Sequence, residues 1–167
     1  HTDPALAAAV SHGRREEFAA FAWQGTVPDP QAEATFRSAL LQHHLASEGR
    51  HRQLREWYQT LLRLRRELPA LAALDRTRLS VWTDGRVLVM QRWAEDQTVA
   101  AVLAFSAEPV ATTLPLPAGE WQRLLDAAEP RWGGTGSTVP ARITTTGSVA
   151  LSLGSWACVV LARAAAA

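Results

Sequence analysis

An α+β protein, helical on its N-terminal side and followed by an antiparallel β-sandwich, is what this 167-residue sequence predicts. The expectation rests on three observations. Residues 50–68 carry apolar side chains at helical spacing. After Arg76 the hydrophobic period changes from helical to strand-like. No segment between the later apolar runs is long enough to form a crossover helix, so the strands have to pair antiparallel.

Asp3 is placed to cap a first helix that opens on Pro4, continues through the apolar residues 5–10 and stops at Gly13. Residues 13–29 mix charges, aromatics and turn formers, and read as an extended loop carrying Phe18, Phe21 and Trp23. A second helix is expected after Asp29-Pro30, running through Phe36, Leu40 and Leu41. The third, residues 50–68, puts Leu54, Trp57, Tyr58, Leu61, Leu62 and Leu68 on one broad face and mostly arginine on the other, a solvated surface. Pro69 ends it, because the residue before a proline is pushed out of the α region. The dipeptide Asp84-Gly85 between two β-rich runs predicts a hairpin. Residues 98–105 are apolar throughout and suit a central strand covered on both faces. Shorter strands are expected at residues 110–114, 121–125, 141–146, 149–153 and 156–162. About eight short strands at this spacing predict a sandwich. The two parts meet near Pro69-Ala70-Leu71, giving expected domains at residues 1–71 and 72–167.

Composition narrows the chemistry. A net charge of +1 gives no reason to expect nucleic acid or a membrane surface as partner. All 17 basic residues are arginine, which excludes a Schiff-base or P-loop lysine. The single cysteine, Cys158, lies in the apolar run 156–162 and reads as a buried structural thiol. One cysteine permits no internal disulfide, and a cytoplasmic setting is expected. No run approaches the roughly 18 apolar residues of a membrane span. The start, His1-Thr2-Asp3-Pro4, has neither a methionine nor a signal-peptide pattern and reads as the middle of a loop, while residues 164–167 read as a simple alanine tail.

Candidate reactive groups are sparse. Glycosidases use two carboxylates, one protonated and one ionised, flanking the bond. Glu16-Glu17 and Glu95-Asp96 are adjacent pairs, and the second falls in an expected hairpin turn facing solvent. His43, His44 and His51 are close in sequence but lack the cysteine or carboxylate spacing that completes a site, so neither metal nor cofactor is expected. Gly133-Gly134-Thr135-Gly136-Ser137 neither ends a clear strand nor opens a helix, and reads as a sandwich loop rather than a phosphate cradle. Of the seven tryptophans, Trp82, Trp93, Trp121 and Trp156 lie in or beside expected strands, where core packing is the default. Trp23 and Trp132 lie in loops, where an indole face is free to stack on a sugar ring.

Three motifs then share one order and spacing: His1-Thr2-Asp3-Pro4-Ala5-Leu6, Gly13-Arg14-Arg15-Glu16-Glu17-Phe18, and Asp29-Pro30-Gln31 followed by Thr35-Phe36. In this they resemble the late part of malto-oligosyltrehalose trehalohydrolases, members of the α-amylase superfamily. Trp57-Tyr58, Leu64-Arg65-Arg66 and Pro69-Ala70-Leu71 resemble the last barrel helix of α-amylase-type enzymes more generally. Ser38-Ala39-Leu40 departs from the family pattern, which has a basic residue in the middle and a tryptophan soon after.

The resemblance implies that residues 1–71 are the end of a (β/α)8 barrel, its last βα loop and eighth helix, followed by the C-terminal β-sandwich. It implies a parent enzyme that cleaves the α-1,4 bond next to the terminal trehalose of maltooligosyl trehalose, with retention. It also implies that all catalytic carboxylates sit on earlier barrel strands, so the present chain holds none and needs the barrel as a partner. Loops after barrel strands line the active face. Asp3, Arg14, Arg15 and Glu16 would then offer hydrogen bonds to sugar hydroxyls and Trp23 a stacking face. The alternative for the same residues is that Asp3 only caps a helix and Arg14 and Glu16 only pin the loop. A non-catalytic α-glucan-binding or purely structural sandwich is the alternative for the chain.

Overall fold

A computed structural model describes residues 2–163. His1 and the expected alanine tail at 164–167 lie outside the described residues. Residues up to His44 and those from Leu45 onward form two compact units.

In the first unit, α1 (Pro4–Ala20) opens on the expected cap: the Asp3 carboxylate accepts hydrogen bonds from the amides of Ala5 and Leu6 at 2.8 and 3.3 Å. The helix does not stop at Gly13, and residues 13–20 are helix rather than loop. A mid-helix glycine costs about 1 kcal/mol. The Asp3 cap contributes about as much, and Arg14 to Glu17 at 2.8 Å and His12 to Glu16 at 3.2 Å add a few tenths each. Helix α2 is shorter and later than expected, Glu33–Ser38, because Asp29 accepts from the Gln31 amide at 2.9 Å and closes a turn first. Leu40 and Leu41 lie beyond it, exposed. Ser11 is the one buried residue described in this unit, and no apolar side chain there reaches burial.

After a short 3-10 turn at His43–Ser47, the second unit begins with α3 (Gly49–Glu67), within a residue of its expected bounds, and α4 (Pro69–Ala72). Eight strands follow: β1 (Leu79–Asp84), β2 (Val87–Ala94), β3 (Gln97–Ala104), β4 (Val110–Leu114), β5 (Gly119–Asp126), β6 (Arg142–Thr145), β7 (Val149–Leu153) and β8 (Cys158–Arg163). They form a six-stranded sheet in the order β1-β2-β3-β8-β5-β6 and a two-stranded sheet β4-β7, with every pair antiparallel.

Between the two sheets lies a core that includes Val89, Val102, Leu114, Trp121, Leu153 and Leu161. The other face of the large sheet offers Val99, Leu125 and Val160 to a second cluster, closed by Ala70, Trp132, Leu68 and the α3 residues Trp57, Leu61 and Leu64. Strand β3 is therefore covered on both faces along part of its length, which is why it reads as apolar without alternation.

Two local features depart from the simple pattern. The β1–β2 turn is Gly85-Arg86 rather than Asp84-Gly85: Asp84 still pairs with Val87, and Gly85 has φ +55°, as a turn with glycine at its first central position requires. Asp84 is thereby free to accept from the Thr112 hydroxyl at 2.6 Å, which ties the hairpin to the small sheet. In β5 the register on β8 shifts between Arg123, opposite Leu161, and Leu125, opposite Val160, so Leu124 is an extra residue. Arg123 and Asp126, three apart, would face opposite ways in a regular strand. Here both reach Ser137: Arg123 Nη1 donates to its Oγ at 2.5 Å, and that hydroxyl donates to Asp126.

Candidate functional site

The five residues that the sequence nominates all fall in the first unit and all are exposed. Asp3 is the α1 cap. Arg14 pairs with Glu17 and its guanidinium lies 5.7 Å from the Phe18 ring centre. Arg15 Nε donates to the Ser11 carbonyl at 3.1 Å, and Glu16 faces His12. Trp23 is 55% exposed and meets Phe18 edge-on, centroids 5.4 Å apart. Asp3 and Arg14 are separated by eleven helical residues, about 16 Å along the axis, so the structure does not gather all five around one point. Arg14, Phe18 and Trp23 do form one surface, with an indole, a phenyl ring and a guanidinium side by side.

The sequence gives no hint of the contact that organises this unit. Ser11, a turn before Arg15, donates its hydroxyl proton to Asp29 at 2.6 Å and so ties α1 to the turn before α2. Asp29 is held below its ordinary carboxylate pKa, first by that hydroxyl, then by the Gln31 amide, with Arg15 adding a favourable charge and partial desolvation opposing. A pKa lowered on folding means that the tie contributes stability above the ordinary carboxylate value and loses it as the pH falls through the lowered one. Carboxyl carbon shifts followed by NMR should therefore give Asp29 a titration below that of free aspartate, and Ser11→Ala should move it back up.

The tryptophans of the second unit divide differently from the expectation. Trp121 is core, 1% exposed, with its Nε1 donating to the Pro117 carbonyl at 3.0 Å. Trp156 is not: it is 65% exposed at φ +50° in the β7–β8 turn. Trp132 is not free in a loop for stacking either. It is buried edge-on against Trp57, with the Arg131 guanidinium over its ring at 4.5 Å. Cys158 is half-buried; burial, and then the Asp126 carboxylate, push its thiol pKa up, so it stays protonated and unreactive near neutrality. Among the described residues no three of His, Cys, Asp and Glu are grouped to hold a metal ion, and no helix is long and apolar enough to cross a membrane.

With this geometry in place, comparison with known proteins gives a consistent result. No protein-family model matches the sequence. Malto-oligosyltrehalose trehalohydrolase of Brevibacterium helvolum is 33% identical over 141 residues, 84% of this chain and 23% of that protein. The enzyme of the same name from Rhizobium sp. (strain M-11) is 35% identical over 116 residues, 69% of this chain and 19% of that protein. The chain resembles malto-oligosyltrehalose trehalohydrolase. It spans about a fifth of the length of these trehalohydrolases. A crystal structure from Salmonella typhimurium, solved as that of a candidate α-amylase, superposes on 98% of the chain with a TM-score of 0.64 at 27% identity, using 24% of its own length. A helical start followed by an antiparallel sandwich thus recurs in that longer protein. The exposed Arg14, Phe18 and Trp23 surface combines a flat apolar ring with a charged hydrogen-bonding side chain, groups that can contact a sugar.

Proposed function

We propose that the chain is the C-terminal part of a retaining glycoside hydrolase that releases trehalose from maltooligosyl trehalose by cleaving the adjacent α-1,4-glucosidic bond, a step that makes trehalose from α-glucans. The observation that carries this is the 33% identity with a trehalohydrolase over 84% of the chain. The two carboxylates of such an enzyme belong to a barrel upstream of these residues, and the chain itself contributes no acid, base or nucleophile. Residues 1–71 complete that barrel and residues 72–167 follow as its sandwich domain. Two features of packing support a missing neighbour. The first unit buries none of its described apolar side chains, with Phe21 78% and Phe36 66% exposed. Helix α3 covers one stripe with the sheet and leaves a second, Leu54, Tyr58 and Leu62, open.

In this role Asp3, Arg14, Arg15 and Glu16 hold sugar hydroxyls at the rim of the active face and Trp23 presents its ring to a pyranose. Binding and positioning are their contribution. The α-glucan partner follows from the same reading, and a cytoplasmic setting fits the single unpaired cysteine. The test is direct. The 167-residue chain alone should release no trehalose from maltooligosyl trehalose, and supplying the upstream barrel should restore release, with Trp23→Ala in the restored enzyme lowering kcat/KM by about tenfold, as loss of one stacking contact worth about 1.4 kcal/mol would. Robust turnover by the chain alone would overturn the proposal.

A further inference from the structure

Both sheets end in free edges, and a free edge offers unpaired N–H and C=O groups to any other strand. Of the edge strands β1, β6, β4 and β7, three are protected. Strand β4 lies between Pro109 and Pro115. In β7 the Ser152 carbonyl is taken by the Thr138 hydroxyl at 2.5 Å. Strand β6 has only 4 residues, starts just after Pro140 and carries the exposed Arg142. Strand β1 has none of these devices. Its 6 residues, Leu79-Ser80-Val81-Trp82-Thr83-Asp84, include no proline and no basic side chain, and all but Trp82 are exposed.

The backbone phase of β1 is set by its hairpin. Asp84 and Val87 flank the two-residue turn as a hydrogen-bonded pair, and the Phe105 amide, donating to the Arg86 carbonyl at 2.9 Å, fixes the same phase from the β3 side. Ser80 and Trp82 therefore bond to β2, while Leu79, Val81 and Thr83 turn their backbone groups away from the sheet. Those groups have no hydrogen-bond partner among the described residues. The side chains of Leu79 and Val81, 37% and 55% exposed, stand on the face opposite Trp82.

The strand is also complementary to itself. A twofold axis at Val81 lays β1 antiparallel on β1 of a second copy, with Val81 against Val81 and Leu79 against Thr83, each at an outward hydrogen-bonding position. The same register sets Arg78, just before the strand, opposite Asp84 at both ends, and both side chains are exposed. A slip of two residues either way leaves an outward residue without a partner in the strand.

We infer that the β1 edge is a self-association surface, on which a second copy of this chain pairs β1 to β1 and joins the two large sheets into one. The pairing involves only the second unit and is independent of the glycoside hydrolase role. One strand edge buries much less than the roughly 1,600 Å² of a standard interface, so the dimer should be weak, with Kd on the order of 100 µM.

Sedimentation equilibrium of the 167-residue chain between about 10 µM and about 1 mM reads this balance. Val81→Lys places two like charges face to face and should weaken association about tenfold, as should Val81→Glu. An equimolar mixture of the two variants should associate at least as tightly as the parent, because opposite charges then meet. Leu62→Glu, on the open stripe of α3, should change nothing. Should position 81 not tolerate a charge, amide exchange on the parent chain carries the test: Leu79, Val81 and Thr83 should gain protection as concentration rises, while Ser80 and Trp82 are protected throughout. Four results would overturn the inference: a parent chain monomeric up to about 1 mM, a dimer that Val81→Lys leaves intact, a mixture no tighter than its components, or a dimer lost in Leu62→Glu with the β1 amides unmoved.

Discussion

Trp121→Ala is expected to destabilise the sandwich by about 3–5 kcal/mol, read as a lower urea midpoint with an unchanged slope. Trp121 is the largest of the fully buried side chains and stands on β5 opposite Ile143, in the core between the two sheets. Truncation removes the whole indole from a site where the neighbours are held by strand pairing on both sides, so the cavity cannot close by a small shift. It also strips the Pro117 carbonyl of the 3.0 Å hydrogen bond from Nε1. Against a total stability of about 5–15 kcal/mol for an ordinary domain, such a loss leaves a large share of molecules unfolded on warming. Trp121→Phe keeps most of the volume and should recover more than half of the loss; equal effects of the two substitutions would show that volume is not what matters.

Gly134→Ala should be at least as damaging, for a different reason. A Cβ at Gly134 would lie 2.1 Å from the Ala128 carbonyl oxygen and 2.6 Å from Ala128 Cα, which are backbone atoms with no rotamer to move. The loop would have to open, breaking the Gly136 amide bond to Ala128 O at 2.8 Å and the one from Gly134 to Glu129 O at 3.2 Å. The expected loss is about 3–5 kcal/mol. Gly154→Ala is the matched control: nothing lies within 4 Å of the new methyl group and the backbone is not left-handed, so the change should be neutral or stabilise by about 0.4–1 kcal/mol. Thermal melts of the pair check both signs, and equal melting temperatures would contradict the steric account.

The strands were largely legible because their signal is local. Alternation, apolar runs and turn formers place residues 149–153 and 110–114 where the structure has β7 and β4. Helix α3 was legible for the same reason, with Pro69 as its stop. What was hidden depends on partners far away in sequence. Trp132 looks like a loop aromatic until Trp57, from another element, meets it. Trp156 looks like a strand residue until the turn before β8 turns it outward. The continuation of α1 through Gly13 was hidden differently: several weak terms, a cap and two exposed side-chain pairs, sum to more than the one strong local signal. At the candidate site, motif resemblance singled out residues 3–23, whereas the Ser11 to Asp29 contact spans 18 positions that no spacing rule links.

The extra residue Leu124 makes β5 a strand with two phases. Upstream of it, even and odd positions are assigned to the two faces in one sense; downstream the assignment is reversed, so consecutive Leu124 and Leu125 both serve the helix-covered cluster while Arg123 and Asp126 both serve Ser137. Shortening the strand by one residue before the bulge would therefore invert Trp121, and shortening it after would invert Asp126, but removing Leu124 itself would leave Arg123 opposite Leu161 and Leu125 opposite Val160 in a regular strand, with both halves facing as they do now. A deletion in β5 anywhere but at Leu124 thus re-faces every side chain on one side of the bulge at once, which no single substitution does.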